Sequence, residues 1–260
     1  MLVAAAALSI LRLQPMRVAL LIASAPASQV PAEPPPQPAQ AQPSAQALVD
    51  LGDGALAYVP AAIGPAPAPL LILLHGAGGR PEQMVARFRA EADRRGFLLL
   101  APRSAGTTWD VILDSGRADR PTDPRARVDP PRIEAALARL RARAAVDSRR
   151  VALGGFSDGA SYALSLAPLR PDLYRHILAF SPGMVIRLEG RRGRQDVFLA
   201  HGRSDRVLPF ANAAGRLVPV LEGQDHRVTF RPFEGGHEVP RDVVTAAVNA
   251  WLGPPQRPRP

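Results

Sequence analysis

"RVALGGFSDGAS", residues 150–161, sets a serine between two glycines at the end of an apolar run. A serine in an ordinary turn needs no such company. The apolar run has the length of a strand and ends at Phe156; small residues suited to a helix begin directly after Ser157. A chain that passes from strand to helix across one residue must turn sharply, and it presents that residue's hydroxyl above the edge of the sheet. Gly155 and Gly159 lie two positions on either side, where a side chain would collide with neighbouring backbone. The first N–H groups of the following helix lack intrahelical acceptors, so the Asp158 N–H is free to face an anionic oxygen. A plainer reading of the same residues is a helix N-cap serine in a glycine-rich turn.

Working outward, short apolar runs alternate with helical patterns. "LLILLH" (70–75), "FLLLA" (97–101), "RVALGGF" (150–156), "ILAFS" (177–181), "DVFLAH" (196–201) and "RVTFRPF" (227–233) have the lengths of strands buried on both faces. "ALAYVP", near residue 58, adds an edge strand. Met84, Phe88 and Ala92 recur every four residues; Ile133, Leu137, Leu140 and Ala144 share one helical face, and Val244, Val248, Trp251 and Leu252 do the same near the end. Alternation of this kind predicts an α/β fold, a mainly parallel central sheet with helices on both faces. No internal repeat is visible.

A chain of 260 residues with 47% hydrophobic residues can bury a sizeable core. Its formal charge is +9 and all 32 basic residues are arginine. An excess of arginine, alanine and proline without lysine points to genome-wide codon bias. The arginines are scattered and no groove-reading motif accompanies them, which argues against nucleic acid as a partner. Cysteine is absent, so disulfides and thiolate metal sites drop out. Residues 1–27 contain two apolar stretches interrupted by Arg12, Pro15 and Arg17, too broken for the ~20 apolar residues of a spanning helix, so no stable membrane insertion is expected. Arg17 followed by "VALLIASAPAS" resembles a signal peptide cleaved near Ala25 or Ala27. A misassigned start codon or a disordered extension explains the same residues. Export follows if the segment is a signal peptide, and a cytoplasmic location otherwise. Residues 28–47 are rich in proline, alanine and glutamine and read as an extended linker, the folded domain as 48–253, and 254–260 as a disordered tail.

A serine hydroxyl is a weak nucleophile at neutral pH and needs a base and an acid to orient that base. Of five histidines, His237 in "EGGHEVP" is the best placed, in the loop between the last strand and the last helix. His75 and His201 end strands, where packing or loop-shaping would explain them; His176 and His226 read as surface-turn residues. The acid belongs at the C-terminal end of a strand between serine and histidine, and Asp205 in "HGRSDRVLP" fits. Asp196 and Asp225 precede their strands and point to the wrong end of the sheet.

With "LHGAGG", "GGFSDGAS", "HGRSDRVLP" and "GGHEVP" in this order, the chain resembles the α/β-hydrolase superfamily from about Leu48 to Leu252. Within it, the likeness is to phospholipase/carboxylesterase-like and polyhydroxybutyrate-depolymerase-like esterases. The resemblance implies Ser157 as nucleophile, His237 as general base and acid, and Asp205 as the orienting carboxylate. It also implies an oxyanion hole from the N–H groups of Ala77, in "HGAGG", and Asp158. A glycine-rich tight turn is the simpler account of "HGAGG". The chain departs from many relatives in carrying an acidic residue, Asp158, directly after the nucleophile. The implied chemistry is two-step acyl transfer on a small-molecule ester and requires no metal or organic cofactor; the oligomeric state is open.

"PRSAGTTWDVI" (102–112) follows another strand and falls on the same rim. There Trp109, with His75, either walls the substrate pocket or serves packing. No cap domain is expected, because only fifteen residues separate Phe180 from Asp196. The other long connection, residues 114–131, has Val128 as its only large apolar side chain and cannot build an apolar lid; its Arg117, Arg120, Arg125 and Arg127 suit a solvated loop, or an anionic substrate if they reach one. Small, water-soluble esters with short acyl chains are therefore the expected substrates. A thioesterase or peptidase could use the same three residues, and a non-catalytic binding protein could keep the fold.

Overall fold

The computed structural model describes residues 47–115, 123, 126–190 and 192–255. The signal-peptide and linker readings, most of the arginine-rich loop and residues 256–260 of the tail lie outside them.

Eight strands form one sheet: β1 (Ala47–Asp50), β2 (Leu56–Val59), β3 (Ala68–Leu74), β4 (Leu98–Ala101), β5 (Val146–Phe156), β6 (His176–Phe180), β7 (Asp196–Gly202) and β8 (Arg227–Phe233). Their order across the sheet is β1-β2-β4-β3-β5-β6-β7-β8. The β1–β2 and β2–β4 pairs are antiparallel and the remaining pairs parallel. Parallel neighbours need crossover connections, and helices supply most of them. The connecting helices are α1 (Pro81–Arg95), the short α2 (Asp110–Leu113), α3 (Asp129–Arg141), α4 (Asp158–Leu166), and the short α5 (Phe210–Asn212) and α6 (Val218–Glu222); α7 (Arg241–Leu252) follows the last strand.

The central strand β3 shows why its sequence is uninterrupted leucine and isoleucine. Leu70, Ile72 and Leu74 pack with Ile133, Leu137 and Leu140 of α3 and with Ala160, Ala163 and Leu164 of α4. Leu71 and Leu73 face the other way, into Met84, Val85 and Phe88 of α1 and Val244 and Val248 of α7. Side chains alternate across the sheet, so a strand covered on both faces must be apolar at every position. Each fully buried Leu, Ile or Val contributes about 1.5–3 kcal/mol over its exposed state. Trp251 closes the second layer, edge-on to Phe97 at 5.3 Å.

The doubly covered, mainly parallel sheet agrees with the sequence expectation, with three corrections. "ALAYVP" is not the edge, because β1 pairs outside it. β8 is the opposite edge, and only Phe233 of it is buried; Val228 and Phe230 pack partly against the core and Thr229 between them is exposed. Ala144 lies beyond the end of α3, although it still packs on the core. The connection from β6 to β7 holds no helix or strand among its described residues, so no cap is built there. Among the described residues no helix is long and apolar enough to cross a membrane.

Candidate active site

At the end of β5 the backbone of Ser157 takes φ 55° and ψ −119°, the left-handed side that costs a non-glycine residue about 1–3 kcal/mol. Close packing holds it there. A Cβ on Gly155 would overlap the Gly159 carbonyl, and one on Gly159 would overlap the carbonyl oxygens of Leu74 and His75. The corner is then tied by Ser157 N–H to Phe180 O at 2.9 Å and by Ser161 N–H to Ser157 O at 3.0 Å. The hydroxyl emerges at the C-terminal end of the central strands, and Ser157 is only 9% exposed.

Two other strand ends deliver its partners. Asp205 follows β7, and its Oδ1 accepts the N–H groups of Val207 at 2.9 Å and Leu208 at 2.8 Å. Its Oδ2 lies 2.7 Å from Nδ1 of His237, whose Nε2 is 2.9 Å from Ser157 Oγ. Burial pushes the Asp205 carboxyl up, but the Leu208 N–H, His237 and the Val207 N–H together outweigh it and hold the group below the usual carboxylate range. The ionised carboxylate fixes a proton on Nδ1, which leaves Nε2 as the acceptor facing the serine hydroxyl. Gly202 lets the histidine loop approach, since a Cβ there would overlap the Gly236 and Gly235 carbonyl oxygens. The Phe156 ring packs on the imidazole at 4.7 Å, with the Arg87 guanidinium 5.2 Å above Phe156 on the other contact. The structure thus brings together Ser157, Asp205 and His237 from three loops spread over 80 residues.

"HGAGG" folds as a tight turn, Gly79 N–H to Gly76 O at 2.9 Å. Gly76 lies so close that a Cβ on it would stand 3.2 Å from Ser157 Cβ. Gly78 N–H is bound to Thr107 O at 2.7 Å, whereas the N–H groups of Ala77 and Asp158 have no acceptor among the described residues. The Asp158 carboxylate is turned aside to accept the Thr108 hydroxyl at 2.9 Å. Its charge is drawn toward the rim loop and its N–H stays unencumbered.

His75 and Trp109 settle into supporting positions. Trp109 has no exposed surface; its Nε1 donates to His75 O at 2.8 Å, and its ring packs on Tyr162 at 5.2 Å and His75 at 4.9 Å. It presents nothing to a substrate, which corrects the pocket-wall reading in favour of packing. His75 is buried, accepts Ser104 N–H on Nε2 at 3.2 Å and lies 2.8 Å from Gly76 O through Nδ1. It joins two rim loops. Burial lowers its pKa, and neutral imidazole is the form that both donates to a carbonyl and accepts from an amide. His226 also departs from expectation: it is buried, and it accepts Gln195 N–H on Nδ1 at 3.2 Å.

Sequence reasoning missed a ladder of hydroxyls on α4. Ser161 Oγ donates to Ser157 O and accepts the N–H groups of Gly183 at 3.0 Å and Met184 at 3.3 Å. Ser165 Oγ donates to Ser161 O and accepts Ile186 N–H at 2.8 Å. The segment 183–186, which extends from β6 beside the site, is held by the helix that starts at the nucleophile. Serines at 157, 161 and 165, each four residues apart, were the available signal. Asp129 was missed as well. It is fully buried and accepts Ala105 N–H and Asp110 N–H at 2.7 and 2.8 Å, which shapes the loop carrying Thr107 and Thr108.

Residues 128–250, which contain Ser157, Asp205 and His237, match the family model described as phospholipase/carboxylesterase. The chain is 30% identical over 228 residues to NocK of Nocardia uniformis subsp. tsuyamanensis, whose name places it among the esterases. That match takes in 75% of this chain and 64% of NocK, so the chain spans less than two thirds of this curated relative. Among solved structures, esterase PE8 superposes with a TM-score of 0.55 at 26% identity, covering 73% of this chain and 94% of that one. A phospholipase/carboxylesterase from Dyadobacter fermentans DSM 18053 shares the fold, with a TM-score of 0.53 at 18% identity over 80% of this chain and 98% of its own. The chain has the α/β-hydrolase fold and is similar to proteins of the phospholipase/carboxylesterase and esterase type.

Proposed function

We propose that this protein is a serine hydrolase that cleaves carboxylic esters of small, soluble molecules through an acyl-enzyme. The observation that carries the reading is the unbroken hydrogen-bonded chain from Ser157 Oγ through His237 to Asp205, with the serine on a sharp strand-to-helix corner. The superfamily and the esterase names of its relatives support the same chemistry.

In the proposed cycle Ser157 Oγ bonds to the ester carbonyl carbon while its proton moves to Nε2 of His237. The carbonyl oxygen becomes anionic and is met by the N–H groups of Ala77 and Asp158; each such donor is worth about 3 kcal/mol in the transition state. Asp205 stays ionised and stabilises the imidazolium. His237 then gives its proton to the departing alkoxide, leaving the acyl group on Ser157. Water enters, yields a proton to His237 and attacks the acyl carbon; collapse returns the proton to Ser157 and releases the acid.

Short acyl groups are favoured because the described residues of the β6–β7 connection build no cap that would give a long chain an apolar cover. The test is a panel of nitrophenyl esters of increasing length, matched thioesters and peptide amides, run on the wild type and on Ser157→Ala. Fastest turnover of short esters, abolished by Ser157→Ala, is expected, with no rise in specific rate when a short triglyceride passes its solubility limit. Faster turnover of thioesters or amides would replace the ester reading, and a wild type inert to the whole panel would leave a binding protein.

A further inference from the structure

The proposed triad does not use His201, yet this residue is the last but one of β7, four positions before Asp205, and is completely buried. Its Nε2 lies 2.7 Å from the carbonyl oxygen of Leu208, and 3.3 Å from Oδ2 of Asp205, the oxygen that holds His237. A carbonyl oxygen can only accept, so the proton of His201 is on Nε2. Its Nδ1 is buried with no partner among the described residues. Phe210 packs edge-on to the ring at 6.2 Å.

These contacts close a ring. His201 Nε2–H grips Leu208 O, and Leu208 N–H grips Asp205 Oδ1 at 2.8 Å. Packing alone does not call for an imidazole here, because a phenyl or leucine side chain would fill the place without burying a nitrogen that has no partner. A buried polar group kept at that cost is explained by the work of its other nitrogen.

We infer that His201 is a positioning residue for the acid of the triad. It fixes the Leu208 carbonyl, and through it the amide that orients Asp205, and it sets a second N–H dipole against the oxygen that receives His237. The inference rests on the triad reading. It predicts that the carboxylate loses its aim toward His237 Nδ1 when the Nε2–H is removed, so the imidazolium formed during reaction is less well stabilised.

Three substitutions separate this from a packing role. His201→Phe keeps a ring against Phe210 and removes both nitrogens. His201→Gln places an amide N–H near the position of Nε2, and His201→Asn places its amide near Nδ1, where no partner waits. Steady-state kinetics of ester hydrolysis across pH, with melting temperatures, are the readouts. His201→Phe should lower kcat about tenfold or more, leave KM within about twofold and move the acidic limb of the pH profile to lower pH. His201→Gln should restore both kcat and the limb, and His201→Asn should not. Wild-type kcat and limb in His201→Phe would overturn the inference. If His201→Phe fails to fold, equal kcat and equal limbs in the Gln and Asn variants would overturn it as well. Ser157→Ala run alongside distinguishes the two levels: an active Ser157→Ala sinks the triad and the inference with it, whereas an inactive one beside an unaffected His201→Phe sinks the inference alone.

Discussion

The nucleophile corner and the acid corner lie at the ends of neighbouring parts of one sheet, and they are held by different forces. At Ser157 the backbone is wedged into place: two glycines leave no space for anything larger, and the left-handed serine has nowhere else to go. At Asp205 the close approach is at Gly202, three residues earlier, and the carboxylate itself is not wedged. The carboxylate is aimed by two backbone N–H groups and by His237, each a hydrogen bond that can weaken without the fold changing. Steric locks fail abruptly and are indifferent to pH, whereas hydrogen-bonded aim fails by degrees.

The largest losses are expected from the reacting groups. Ser157→Ala and His237→Ala should each lower ester turnover by about 10⁴-fold or more, and the double variant should be little worse, because the residues act as one unit. Independent, additive losses in the rate assay would show that they do not form one unit. Asp205→Asn should leave circular dichroism unchanged and still cost about 10³- to 10⁴-fold, since an amide cannot hold the imidazole in the required tautomer and charge state.

Stability measurements sharpen the steric half. Gly159→Ala drives a methyl into the Leu74 and His75 carbonyl oxygens of the neighbouring central strand, which cannot yield, so chemical denaturation should show a loss of about 3 kcal/mol or more. Gly78→Ala offers the contrast. Its φ is +64° with open space around it, so only the left-handed backbone penalty of about 1 kcal/mol applies. Equal losses in the two variants would mean that conformation, not crowding, governs the corner.

The smallest effect is a slope. Burial lowers the pKa values of His75, His176 and His226 in the fold. The unfolded chain takes up protons at these residues first, near the ordinary value of about 6.5. Their stabilising contribution is complete above that pH and is lost as pH falls through the lowered folded values. The melting temperature should therefore decline on going from pH 7.5 to 5, and His75→Gln should flatten the decline. A melting temperature that rises on acidification would contradict the sign.

The strand-and-helix alternation and the order of Ser157, Asp205 and His237 were legible in the sequence because burial on both faces leaves unbroken apolar runs. Strand ends then mark where chemistry can stand. The edges were less legible: β1 and β2 are short and similar in composition, and only hydrogen-bonding partners decide which is outermost. Trp109 stayed open between two readings, His201 was read no further than packing or loop-shaping, and His226 was misread as a surface residue, for a related reason. A buried histidine and an exposed one have the same letter, and the atoms that separate them, such as Leu208 O or Gln195 N–H, belong to residues 7 and 31 positions away. The Ser161 and Ser165 ladder carried a spacing signal but no visible recipient, since segment 183–186 has no periodic pattern of its own.

That ladder also divides the β6–β7 connection into two stretches of unequal tolerance. Between residues 183 and 186 three backbone N–H groups depend on hydroxyls of the nucleophile helix, each bond worth about 1 kcal/mol. New sequence inserted there would orphan them and loosen the serine's own helix. Among the described residues from 187 to 195 none bonds to a hydroxyl of α4, but this stretch runs to the far end of the sheet, where Leu188 is buried and Gly193 N–H donates to Pro168 O at 2.8 Å. A cap, whether acquired by evolution or grafted by design, would have to enter in the first stretch to reach the site, and would have to replace the hydroxyl acceptors of those three N–H groups as it did so.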